Sequence, residues 1–82
     1  METQTYTVRA DWDAEASVWV ALSDDVPGLV AEGATQETLV EKLTGLIPEL
    51  LELNHLSIDR TKPIEIIVQY RREDRISVSV AA

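Results

Sequence analysis

Between Thr35 and Asn54 the apolar residues return every three or four positions, as Leu39, Val40, Leu43, Leu46, Ile47, Leu50, Leu51 and Leu53. At 100° per residue they share one side of a helix, and Glu37, Glu41, Thr44, Gly45, Pro48, Glu49 and Glu52 share the other. A rod that is apolar on a single side has to bury it, and the remaining segments supply a sheet. From Thr5 to Trp12, the residues Tyr6, Val8, Ala10 and Trp12 alternate with Thr5, Thr7, Arg9 and Asp11, the period of a strand with one buried face. After a polar connection the alternation resumes from Ser17 to Ser23, with Val18, Val20 and Leu22 set against Trp19 and Ala21, which predicts an antiparallel hairpin. Trp12 and Trp19 fall on alternating positions of these strands, one expected in the core and the other on the outer sheet face. An exposed Trp19 would be a candidate anchor for a subunit interface.

Asp24, Asp25, Val26, Pro27 and Gly28 predict a turn, because proline fixes its own φ and glycine accepts a positive one. A short third strand follows at Leu29 to Glu32. Thr35 is the expected N-cap and Glu37 lies near the positive end of the helix dipole, although Thr38 stands where a capping box has Glu or Gln. Pro48, on the polar side, predicts a bend around the underlying layer or a break into two helices. Asn54 can close the helix in a left-handed conformation, with His55 to Lys62 as a loop. Ile64 to Tyr70 is the fourth strand, and the preceding helix allows it to run parallel to a neighbour. Beyond the charged turn Arg71 to Asp74, Ile76, Val78 and Val80 alternate with Ser77 and Ser79. They read either as a fifth edge strand, available to another subunit, or as a loose tail. The expectation is one α+β domain over residues 1–82, with its core in 5–70 and a three- to five-stranded sheet carrying one long helix on one face.

Charge sharpens this picture. The net charge is −8, and eleven of the fifteen acids but two of the seven bases precede residue 55. An acidic body repels phosphate backbones and attracts basic proteins, so direct nucleic-acid binding is not expected. Asp24, Asp25, Glu37, Glu41, Glu49 and Glu52 are the candidate partner-binding residues, with a solvated surface as the plainer account. Ile76, Val78 and Val80 join Trp19 as candidate interface residues. Absent cysteine excludes disulfides, thiolate zinc sites and cysteine nucleophiles. No apolar run reaches membrane-span length and no signal peptide opens the chain, so a cytoplasmic protein is expected.

Catalytic chemistry finds no constellation. Asp11 and Asp13, with Glu41 or Asp59, are the carboxylates that a two-metal nuclease site could use, but the predicted elements point them apart. His55 has no second histidine or cysteine to complete a metal set and reads as a helix-end residue. Arg71, Arg72 and Arg75 form a small basic patch, readable as a charged turn or as a match for the acidic ridge of a second subunit. No catalytic residue, metal or cofactor is assigned.

The succession of three strands, a helix and a strand carries further detail: Tyr6 opening the first strand, Val18 to Ala21 in the second, and the Val26-Pro27-Gly28-Leu29 turn. Next come Glu32-Gly33-Ala34-Thr35-Gln36-Glu37-Thr38-Leu39-Val40-Glu41-Lys42-Leu43 and the helix end Ile47-Pro48-Glu49-Leu50-Leu51-Glu52-Leu53-Asn54. Over roughly residues 6 to 67 this resembles the N-terminal domain of HicB-type antitoxins, and more closely the small stand-alone relatives grouped as domain of unknown function 1902. The resemblance implies a partial ribonuclease-H-like fold without nuclease activity, assembly into homodimers or larger oligomers, and a small basic toxin of the HicA type as partner. HicB antitoxins usually append a DNA-binding helix-turn-helix or ribbon-helix-helix segment; none is legible here, so operator binding is not expected. The function this points to is a non-enzymatic binding module, an antitoxin or an orphan relative of one. An oligomeric protein without a foreign partner, or a residual metal-dependent ribonuclease, are the alternatives.

Overall fold

The computed structural model describes residues 4–54 and 58–81. Along the chain come β1 (Gln4–Asp13), β2 (Val18–Leu22), β3 (Val30–Gly33), α1 (Gln36–Leu53) and β4 (Ile64–Arg71), each within one residue of its expected ends. The sheet order is β3-β2-β1-β4; β1 and β3 flank β2 antiparallel, and β4 runs parallel to β1. A parallel neighbour needs a long crossover, which α1 provides. The fold is therefore α+β, a mixed four-stranded sheet with one helix on one face.

Cross-strand register decides which side chains meet that helix. Trp12 lies opposite Trp19, Ala10 opposite Ala21, and Ala21 opposite Ala31, while on the other flank Tyr6, Val8 and Ala10 lie beside Ile66, Val68 and Tyr70. Val8, Ala10, Trp19, Ala21 and Ala31 from the strands, Val26 and Leu29 from the turn, and Leu39, Leu43, Ile47 and Leu51 from α1 make the core. Trp19 is only 7% exposed and sits on the same face as Trp12, against the expectation that one of the two would be outside. Every residue of Val18–Leu22 is apolar, so alternation could not say which phase faces inward; pairing with Trp12 does. The two rings pack edge to face at 5.3 Å, and Tyr70 closes on Trp19 at 5.2 Å.

The buried stripe of α1 is narrower than its sequence pattern. Leu46 and Leu50 are half-buried, while Val40 and Leu53 are exposed. The cause is where the helix lies: it packs on β3 and β2, leaving its flank toward β4 uncovered. Pro48 sits half-buried on that flank beside Ile58 and Ile64, and the helix runs through it without a break. Thr35 caps the start by accepting from the Thr38 amide at 3.0 Å, and its hydroxyl also meets that of Thr38. At the other end Asn54 is not left-handed but holds φ −87°. Its side-chain amide instead donates to the carbonyls of Leu50 and Pro27, tying the helix end to the turn. In that turn Leu29 N–H donates to Val26 O, Pro27 is second and Gly28, at φ 82°, is third, the signature of type II.

Gln4 fastens the loop before β4 to the start of β1 by exchanging two hydrogen bonds with the backbone of Asp59, at 3.0 and 2.7 Å. His55 lies outside the described residues, so its expected place at the helix end has no structural counterpart here. Residues 72–81 form no strand in the single chain and are exposed throughout.

Gly33 marks a close approach of helix and sheet, since a Cβ there would come within 2.7 Å of the Leu39 backbone nitrogen, whereas one at Gly45 would meet nothing within 4 Å. Gly33→Ala is expected to cost about 1–3 kcal/mol by overpacking, and Gly45→Ala to be neutral or to stabilise by up to about 1 kcal/mol through helix propensity. Denaturant unfolding of the two variants checks this; equal midpoints would refute the close-approach account.

Candidate functional site

The outward side of α1 carries Glu37, Glu41 and Glu49, all exposed. A rise of 1.5 Å per residue spreads them over roughly 18 Å of one rigid element. Thr44 and Gly45 fill the interval; the Thr44 hydroxyl donates back to Val40 O at 2.8 Å. Lys42, the one base of the helix, donates its ammonium to Glu32 O at 2.6 Å and so is directed at the edge of β3. Among the described residues no ion pair engages Glu37, Glu41 or Glu49. Glu52 continues the line but pairs with Arg60. The result is a negative face whose three glutamates project from backbone positions that the helix holds at fixed separations.

Asp24 and Asp25 do not join it. They line a small depression with Thr7, Arg9 and Gln69, residues of the sheet face turned away from α1. Asp25 is committed to the fold: its carboxylate accepts from the Thr7 amide at 2.8 Å while the Ser23 hydroxyl donates to Thr7 O at 2.6 Å. Together they complete the β1 ladder one step beyond the end of β2, satisfying a backbone N–H and C=O that would otherwise lack partners. Asp24 lies 3.7 Å from Arg9 in an exposed pair, which contributes little. The six candidate acids thus divide into the ridge Glu37, Glu41 and Glu49, the paired Glu52, and a separate Asp24–Asp25 corner.

The four carboxylates of the nuclease alternative are equally scattered. Asp11 belongs to the sheet face away from the helix, Asp13 accepts from the Glu15 and Ala16 amides in the β1–β2 turn, and Glu41 is on the ridge. Asp59 accepts from both the hydroxyl and the amide of Thr61, which hold its carboxyl below the ordinary aspartate range, with Lys62 adding to the effect. No group of three or more potential metal ligands forms among the described residues.

Of the candidate interface residues, Trp19 is in the core and offers no exposed ring, whereas Ile76, Val78 and Val80 are 79%, 77% and 91% exposed. Sequence reasoning missed a second partly apolar surface, on the helix side of β4. Because β4 ends the sheet and α1 lies toward its other side, Ile64, Ile66, Val68 and Tyr70 are only half-buried. An open cavity of about 150 Å³ lies there between Val40, Leu43 and Thr44 of the helix and Ile66 and Val68 of the strand. The run Ile64 to Tyr70 signalled the fourth strand; its edge position depended on sheet order, which periodicity does not encode.

A family model described as "Domain of unknown function (DUF1902)" matches residues 5–78. Among solved structures, the hypothetical protein TTHA1013 from the extremely thermophilic bacterium Thermus thermophilus superposes with a TM-score of 0.69 at 41% identity, over 92% of this chain and 100% of that one. No curated protein matches significantly. Among the described residues no helix is long and apolar enough to cross a membrane.

The Asp59 geometry has a measurable consequence. A native carboxyl held below its unfolded value favours the folded loop above the ordinary aspartate range, and that contribution is lost as pH falls through the lowered value. Carboxyl NMR titration should find Asp59 low and Thr61→Val returning it upward; an ordinary Asp59 titration in the native protein would contradict the hydrogen-bond assignment.

Proposed function

The chain belongs to the DUF1902 family, and from that membership we propose that it is a non-catalytic, HicB-like binding module that covers a small basic partner protein with the outer face of α1. The observation that carries this reading is the ridge of Glu37, Glu41 and Glu49, exposed and without ion-pair partners among the described residues. Glutamates carried on one helix meet lysines and arginines with no change of backbone, and they steer encounter over distances comparable to the screening length. The net charge of −8 adds to that attraction and opposes approach to a nucleic-acid backbone. A HicA-type toxin in the cytoplasm is the partner this chemistry fits, the protein acting as its antitoxin or as an orphan relative of such antitoxins. Glu52 would contribute after releasing Arg60, and Asp24 and Asp25, on the opposite side, would serve a separate contact. A second reading, self-assembly with no foreign partner, is favoured by the exposed apolar residues of 76–80.

Co-expression with a HicA-type toxin encoded beside the gene tests the first reading. The wild-type chain is expected to restore growth, and the triple variant Glu37→Lys, Glu41→Lys, Glu49→Lys to lose protection with its fold intact by circular dichroism. Its affinity should fall by at least about tenfold, with weaker salt dependence, as removal of close interfacial charges requires. A triple variant that protects as well as wild type, or a wild-type chain that never protects, overturns the proposal.

A further inference from the structure

The last described residues do not behave as an arbitrary tail. In β4, Ile66, Val68 and Tyr70 face the helix layer, and the same phase continues past Arg71: Arg72 lies over the ring of Trp12, on that layer, at 4.9 Å. Carried forward by the period of an extended chain, this phase puts Ile76, Val78 and Val80 on the helix side and Ser77 and Ser79 on the other. The turn expected at Arg71 to Asp74 is not formed: Arg71 ends β4 and residues 72–75 adopt no turn. Arg71 pairs with Glu73 at 3.4 Å and Arg72 with Asp74 at 3.1 Å, contacts between residues two apart that share a side when the backbone is extended. Residues 72–75 contain no glycine or proline, and the carboxylate of Asp74, their one turn-favouring residue, is engaged by Arg72. The segment accordingly projects from the body, and the chain measures 66 × 26 × 20 Å.

What that segment lacks, the edge of β4 offers. An edge strand of eight residues presents open backbone donors and acceptors, and its helix-side residues border the apolar cavity lined by Val40, Leu43, Ile66 and Val68. We propose that residues 76–80 of one copy add as an antiparallel strand to the β4 edge of a second copy, reciprocally, giving a two-fold dimer with a continuous sheet. One register satisfies both phase and charge. It sets Ile76 opposite Tyr70, Val78 opposite Val68 and Val80 opposite Ile66, so the valines close the cavity. The same register sets Arg72 of each copy opposite Asp74 of the other, while on the reverse face the two Glu73 residues meet at the axis between Arg71 and Arg75. Because pairing is isologous, both cavities and both tails are used at once. The proposal is independent of any foreign partner.

The chain lacks cysteine, so a directed cross-link reads the register. Val68→Cys/Val78→Cys, oxidised, is expected to give a doubly linked dimer on a non-reducing gel. A disulfide-linked monomer, meaning that the tail folds back on its own β4, or no disulfide at all, overturns the proposal, as do open chains of cross-links. Light scattering of the unmodified protein should give twice the 9.1 kDa chain mass. Val78→Asp, outside the folded body, should retain the melting profile of a dilute monomer and raise the dimer dissociation constant at least about tenfold, as loss of a buried valine implies. A wild-type chain that stays monomeric at high micromolar concentration, or a Val78→Asp variant that dimerises like wild type, is the refuting result.

Discussion

The depth to which α1 settles on its sheet governs the rest of the molecule. Strands β1, β2 and β3 present small residues to the helix, Ala10, Ala21, Ala31 and Gly33, and the helix answers with Leu39, Leu43, Ile47 and Leu51. Large side chains on one layer and small ones on the other let the two approach closely without voids, the condition for near-crystalline interior density. Where the helix starts, a Cβ on Gly33 would strike its backbone. That contact fixes α1 over β3 and β2, and two consequences follow: the glutamates at 37, 41 and 49 point outward, and the helix side of β4 is only partly covered.

Much of this was legible in the sequence. Helical spacing of the leucines, strand alternation in Thr5 to Trp12, the Pro27-Gly28 turn and the Thr35 cap each rest on local chemistry, so each element appeared within a residue of where its pattern ends. Failures share a cause: they depend on what lies beside a segment rather than on the segment. Val18–Leu22 is apolar in both phases, so the burial of Trp19 was decided by its cross-strand neighbour Trp12. Val40 and Leu53 belong to the apolar stripe by spacing but lie beyond the area that the sheet covers. Asn54 had a local route to end the helix and uses a long-range one instead, through Pro27.

The candidate site was less legible, for a related reason. Acidic residues identify themselves in a sequence, but their availability does not. Asp25 replaces the missing ladder acceptor of the Thr7 amide, Glu52 is taken up by Arg60, and Asp59 is held by its own turn. What is left is a shorter ridge than composition suggested, and a more definite one, because its three members share a single helix. A carboxylate occupied with backbone amides would have to abandon them to meet a partner, whereas one facing water gives up only hydration.

The two edges of the sheet complete the picture by their contrast. β3 is four residues long, and the Lys42 ammonium sits on the Glu32 carbonyl, placing a charge where an added strand would have to pack. Short length and a lysine are the ordinary means by which an edge is kept from pairing. β4 has twice the length, half-buried apolar residues at every second position and a cavity beside it. Stronger protection at one edge than at the other is not what avoidance of aggregation alone would produce. It is what a sheet needs if it is to grow in one direction and stop, and the apolar alternation of 76–80, in phase with β4, is a strand of the right kind to grow it by.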